Sequence, residues 1–484
     1  MDDTPPVELT DRVVFVHKDR SRPYHRFGFV VSDAHAIFVG ETISGEKGFS
    51  ATPISLVSGQ SGPVLQLPPD SRPLAVSPDG LVLAARSEGI VQGEKGRLDL
   101  WSAAEEGAKH LTSFDPFIDE SRPADRDILS VWFVANNRLL IRNDQGRMML
   151  WEFDLQTPAV RAIWNLKTNQ WDSYTLSPGC RYLYIGTRRG VLALEVASGE
   201  PVGHLPSNDQ LKRMSVSPDG RYLAGLTSQQ LQVWDLQTGQ LKWEYEWRTP
   251  LDELVFVEPE FVLASEKLVY LPKGVVVWEY QRPPYAKAIR SRVLVEDNLA
   301  SRPAVRLLSL PHRKARLAAS EAAEPPRAVM RGSTVSLDIQ ISATAEEIRE
   351  VTEHFRRQLE AAGINIADGQ PVRLVVRTER RDSERRTVQY RTLRGEETVT
   401  MTPHYTFVHW MKGDATLWTW GRVTGLAGDL YLKDGQSAQQ VVNERAKFDI
   451  NGLKRLEIPT DVVDSTQLPT PGRSMLTLNG IIDR

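Results

Sequence analysis

The residues able to do chemistry are scattered along this sequence. His404 and His409 stand five apart in an alternating segment, HYTFVHWM. In a strand that spacing puts them on opposite faces, so they do not share a metal ion, and both read as structural or surface residues. His17 and His25 bracket a basic stretch, KDRSRPY, which reads as a solvated loop. The one cysteine, Cys180, falls in a turn with no adjacent histidine and can build neither an internal disulfide nor a multi-thiolate metal site. No GxSxG elbow, P-loop, GxGxxG, HExxH or DxDxDG pattern occurs. The expectation therefore moves from motif-borne catalysis toward binding, without catalytic residues, cofactor or metal.

Charge points the same way. An arginine-rich run, RTERRDSERR from Arg377 to Arg386, could attract phosphate, but Arg316 to Arg484 holds 23 basic and 23 acidic residues. The run reads as a solvated connection with mixed ion pairs. Across all 484 residues, 59 Lys and Arg face 62 Asp and Glu, a net charge of -3. No field pulls the chain toward nucleic acid, which is not expected as a partner. Trp410, Trp418 and Trp420 could stack a sugar or base, yet cross-strand aromatic pairs also stabilise sheets, and packing is the favoured reading.

What positions these residues is a repeat. LAVSPDGLVLA (residues 74–84) and MSVSPDGRYLA (214–224) are each a strand, a tight turn and a second strand, and YTLSPGCRYLY (174–184) is a weaker copy. Pro presets the turn and Gly tolerates positive φ. A further strand then carries a tryptophan or a substitute at one place: Ile54, Trp101, Trp151, Leu194, Trp234 and Trp278, at intervals of 40 to 50 residues. A four-stranded propeller blade spans about 40 to 45.

The pattern resembles the WD-repeat β-propeller family. The best copy runs from Gly203-His204 to Trp234-Asp235, and it alone carries both dipeptides. The resemblance implies a structural hydrogen-bond network around the tryptophan. The hairpin that would supply its Asp reads TSQQ (Thr227 to Gln230), so the network is expected to be absent or rearranged. Six blades can be counted, and seven are expected, with six or eight left open. The segment VVFVHK (Val13 to Lys18) at the N-terminus is expected to help close the ring. Closure leaves only short, protected edges.

Residues repeated with the blade period, namely Trp101, Trp151, Trp234 and Trp278, read as packing between blades, and His204 and Asp235 of the best copy read as further structural positions of the repeat. Recognition is expected from what varies. The insertion FDPFIDESRPADR (Phe114 to Arg126) is the candidate partner loop, through Phe114, Phe117, Asp119 and Glu120, with a disordered blade connection as the alternative.

Residues 313–331 are rich in Ala, Glu and Pro and read as a linker. Beyond it, TVSLDIQIS is a strand. Thr344 and Glu347 form a capping box for a helix with Ile348, Val351, Phe355 and Leu359 on one stripe, and PVRLVVRTE returns as a strand. The expected organisation is multidomain: an all-β propeller over 1–312, a linker, and an α+β domain over 332–484. This order is similar to multidomain bacterial WD-repeat proteins. The resulting expectation is a non-enzymatic protein-interaction scaffold in the cytoplasm, without membrane insertion. The alternatives are a propeller hydrolase or lyase with a central-channel site, and a carbohydrate- or envelope-binding protein.

Overall fold

The turn at Ser77 to Gly80 shows how the repeat folds. The Ser77 hydroxyl accepts the Val82 N–H at 2.9 Å and donates to Asp79 Oδ1 at 2.5 Å, while Gly80 takes φ +77°. Ser217, Asp219 and Gly220 repeat this arrangement, and in the third copy Cys180 fills the glycine's place at φ +56°. The side chains bond within the turn, so a four-residue signal suffices to fold it.

The computed structural model describes residues 13–15, 24–31, 35–42 and 48–483, apart from 56, 59, 61, 63, 69–70, 88–95, 104–108, 155, 158, 171, 208, 229, 248–252, 283–285, 290–291, 298–303, 393–394, 425–435, 446–447 and 478. Through residue 48, and at most strand positions in 286–305 and 391–395, it describes the backbone alone. His17 and the side chain of His25 lie outside the described residues.

The chain divides into two units, residues 1–323 with 471–484, and residues 324–470. In the first unit, seven sheets are seen among the described residues. The first five are antiparallel meanders of four strands, within residues 24–66, 71–114, 128–167, 173–205 and 213–246. The sixth begins with Leu254–Glu258, Phe261–Ala264, Lys267–Tyr270 and Val275–Gln281. The seventh has Ala286–Ile289, Arg292–Asp297 and Ala304–Ser309, and its fourth strand is the N-terminal Val13–Phe15, paired with the last of these. Joining the two ends of the repeat in one sheet is how a propeller closes.

Neighbouring sheets share their cores. Leu65 and Ala51 of the first pack with Leu83 and Trp101 of the second. Phe133 and Ile141 of the third meet Leu98 and Leu100 of the second, and the series continues to Val293 and Leu308 of the seventh against Val277 of the sixth. Middle strands are accordingly buried on both faces, as in Arg138–Asn143, whereas the outer strand Gln240–Glu246 is largely exposed. A succession of antiparallel four-stranded sheets packed face to face in sequence order is a β-propeller.

Two expectations about the later chain are corrected. Residues 313–331, expected as a linker, carry regular elements: helix α1 spans Arg313–Glu321, and Arg327–Val329 is a strand. Ala315 and Ala319, one turn apart, are buried against the sixth and seventh sheets, so the alanines that suggested a linker form a small apolar stripe. Residues 471–484 do not belong with the second unit. Gly472–Thr477 adds to the sixth sheet parallel to Val275–Gln281, and Gly480–Asp483 pairs antiparallel with it, making six strands.

The second unit has a five-stranded sheet in the order Asn365–Ile366, Thr334–Gln340, Val372–Arg380, His404–Lys412, Ala415–Thr424. Helix α2, Ala345–Ala361, starts at the capping box of Thr344 and Glu347 and buries Val351, Phe355 and Leu359. Those residues share a core with Trp410 and Trp418, against which Trp420 also packs. Trp410 and Trp418 are buried in that core and present no ring face to a sugar, while Trp420 is half-buried against it. Helices α3 (Ala438–Arg445) and α4 (Ile450–Leu453) and a separate hairpin, Arg386–Thr392 with Gly395–Met401, complete the unit.

Candidate functional site

The insertion after the second sheet is an ordered loop. Phe114 ends the outer strand, half-buried, its ring 5.1 Å from that of Trp151. Phe117 is fully buried in the core between the second and third sheets. The expectation that Phe117 meets a partner is corrected: a large apolar ring is more stable filling the inter-sheet core than facing water. After it, Arg147 of the third sheet reaches back. Its two terminal nitrogens bond the two Asp119 carboxylate oxygens at 2.7 Å each, and one also bonds Glu120 Oε1 at 2.9 Å. Arg126 donates twice to the Glu120 carbonyl, at 2.9 and 2.7 Å, closing the loop on itself before a 3-10 turn at Pro123–Arg126.

The hydrogen bonds from Arg147 hold the Asp119 carboxyl below its ordinary range, and the two acids raise the Arg147 guanidinium. Close by, burial and the charges of Asp127 and Asp125 push the Asp144 carboxyl up. Two large apolar side chains project outward, Ile118 at 63% exposure and Leu129 at 48%. The sequence reading passed over both, along with Arg147. An exposed Ile in a polar insertion has no periodic signal, and Arg147 lies 28 residues from Asp119.

The repeated tryptophans behave as packing residues at three places. Trp101, Trp151 and Trp234 each pair with a leucine of the preceding strand, Leu83, Leu139 and Leu223, and each sits at a bulge toward the following strand. Leu194 holds the same place in the fourth sheet. The indole N–H of Trp101, Trp151 and Trp234 is buried without a hydrogen-bond partner. His204 is exposed on its outer strand and makes no bond to Trp234, so the WD-type network is not formed there. Asp235 instead caps its own turn, accepting from the N–H groups of Gln237 and Thr238.

Trp278 is a different case and corrects the assigned repeat. The Gly274 N–H bonds the Tyr270 carbonyl, as Gly239 does Asp235 and Gly199 does Glu195. By that register Val269 occupies the place of Trp234, with the same bulge before it. Trp278 lies one strand further out and matches Trp243 and Trp164, which face Val233 and Leu150 across the sheet as Trp278 faces Leu268. The sequence misled because VVVWEY looks like LQVWDL when the short loop before it is not visible.

Other candidate groups are held by near neighbours. His404 packs on Phe448, and His409 stacks on Phe407 on the opposite face of the strand. Within the arginine run, Arg381 bonds Glu379 and Glu384 at 2.8 and 3.0 Å and lies 4.4 Å over the Tyr405 ring. A cleft of about 620 Å³ is lined by Asn137, Glu152, Asp154, Gln156 and Arg161. Its acids are engaged: Glu152 pairs with Arg138 and Arg161, and Asp154 caps its own turn. Among the described residues no group of three or more His, Cys, Asp or Glu is placed to hold a metal ion, and no helix is long and apolar enough to cross a membrane.

These features define a β-propeller whose irregular insertion is anchored by an arginine clamp. The chain is similar to the crystal structure of the β-propeller domain of Myceliophteria thermophila Cps50 (Swd1), at 12% identity and a TM-score of 0.41 over 61% of this chain and 99% of that one. No family model and no curated protein matches the sequence.

Proposed function

We propose that this protein is a non-enzymatic scaffold of the WD-repeat type, in which a seven-bladed propeller engages protein partners and an α+β domain serves as a second docking module. On this reading the propeller domain runs through helix α1 and is completed by the C-terminal hairpin, and the second domain is inserted between them. The supporting observation is the clamped insertion. Arg147 and Arg126 hold its backbone in place while Ile118 projects at 63% exposure beside the Asp119 carboxylate. An apolar side chain on a pre-ordered loop binds without the entropic cost of ordering that loop on contact. Ile118 held out in this way favours a partner that offers an apolar pocket.

Affinity capture with the whole chain, read by quantitative mass spectrometry, tests this. Partners held by the native chain and reduced at least tenfold with Ile118→Asp are the expected result. A chain that captures nothing above background while turning over a small-molecule library overturns it.

A further inference from the structure

The sixth sheet carries two strands more than the other sheets of its unit among the described residues, and they come from the end of the chain. Four residue pairs make the junction, Trp278 to Gln281 with Gly472 to Met475, in parallel. The seat is specific. A Cβ on Gly472 would stand 2.2 Å from the Trp278 ring, so only glycine fits flush against that indole. Two residues on, Ser474 Oγ accepts the Trp278 indole N–H at 2.9 Å and donates to Asp483 Oδ1 at 2.8 Å. Two further on, Leu476 is buried with Tyr280, Val293 and Leu308. Asp483 also meets His312 Nε2 at 3.3 Å and Lys314 Nζ at 2.6 Å, latching the hairpin to the start of α1. The connector before it, Ser465 to Thr470, is exposed, and Pro469 and Pro471 bracket its end.

We propose that the outer edge of the sixth sheet beside Trp278 is a strand-acceptor site, occupied in cis by the chain's own C-terminal segment. Its ligand class is an extended peptide that runs parallel to Val275–Gln281 and carries glycine, a hydroxyl residue and an aliphatic residue at alternate positions. Main-chain pairing supplies affinity in such strand addition, and the alternate side chains supply specificity. The connector is exposed and proline-bearing, and the resident segment pairs with the outer strand of the antiparallel meander to which it is added. The site is separate from the inserted loop and stands or falls independently of it.

The test places a protease recognition sequence at Thr470 in the full chain. After cleavage, a fluorescent peptide of residues 471–484 is added and its anisotropy followed. The labelled peptide is expected to exchange onto the cut chain and not onto the uncut one, and the same peptide with Gly472→Leu to bind at least tenfold more weakly. Failure of the native peptide to enter the cut chain, or equal binding of the Gly472→Leu peptide, overturns the proposal. If cleavage unfolds the chain, by loss of its circular dichroism, the segment is part of the obligatory core and the proposal is also overturned. Independently, uncut full-length Gly472→Leu, whose own segment clashes with Trp278, is expected to bind the native peptide, and absence of binding counts against the site.

Discussion

Arg147 and Asp119 meet through two hydrogen bonds of 2.7 Å, each terminal nitrogen of the guanidinium facing one oxygen of the carboxylate. The arginine side chain is 13% exposed and the aspartate 62%, so a fixed residue of the third sheet grips a surface one in the insertion. Paired bonds of this kind define orientation as well as proximity. Arg147→Ala is expected to free residues 115–126, seen as faster amide hydrogen exchange there with the third-sheet strands unchanged. The Asp119 carboxyl lies below its usual 3.8, so its contribution is present above that value and is lost as pH falls through the depressed one. Protection of the loop in the native chain should drop on that acid limb, and in Arg147→Ala the limb should disappear.

Asp144 has the opposite sign. Burial, together with Asp127 and Asp125, raises its carboxyl above 3.8, so the charged form is less comfortable folded than unfolded. Its contribution is complete below the unfolded value and is lost as pH rises through the raised one. Asp144→Asn is expected to raise the thermal midpoint at pH 7 and to gain progressively less as the pH approaches 4. A midpoint unchanged or lowered at pH 7 contradicts the assignment.

Cys180 adopts φ +56° where the equivalent turns have Gly80 and Gly220. A left-handed conformation costs an L residue about 1–2 kcal/mol, part of which is offset by glycine's larger freedom in the unfolded chain. Cys180→Gly is expected to stabilise the protein by about 0.5 kcal/mol, measured by denaturant unfolding.

Trp234 is fully buried between the fourth and fifth sheets, whereas Trp151 is half-buried. Trp234→Ala is expected to cost about 3–5 kcal/mol, and Trp151→Ala clearly less. Trp234→Leu should fall between them, because Leu194 already serves at that place in the fourth sheet. Denaturation midpoints of the three variants give the order directly.

Much of the architecture was legible because its signals are local. Ser-Pro-Asp-Gly closes a turn with its own side chains, and Thr344 with Glu347 caps a helix within one turn. The candidate loop was legible as an insertion, since it interrupts the repeat, but not in its contacts. Phe117, Asp119 and Glu120 look alike in sequence as loop residues. Only the position of Arg147 and the space between two sheets send the ring inward and hold the acids at the surface.

The sequence by itself determined the repeating strands, their turns and the mixed helix and strand character of the second unit, because each rests on interactions among residues a few positions apart. The tertiary structure decided what depends on distant partners. It moved Trp278 to an outer strand, made the alanines of α1 a buried stripe, and returned residues 472–483 to the sixth sheet. Ser474 and Trp278 lie 196 residues apart, and no local propensity says that a serine near the end of the chain will accept a hydrogen bond from that indole N–H.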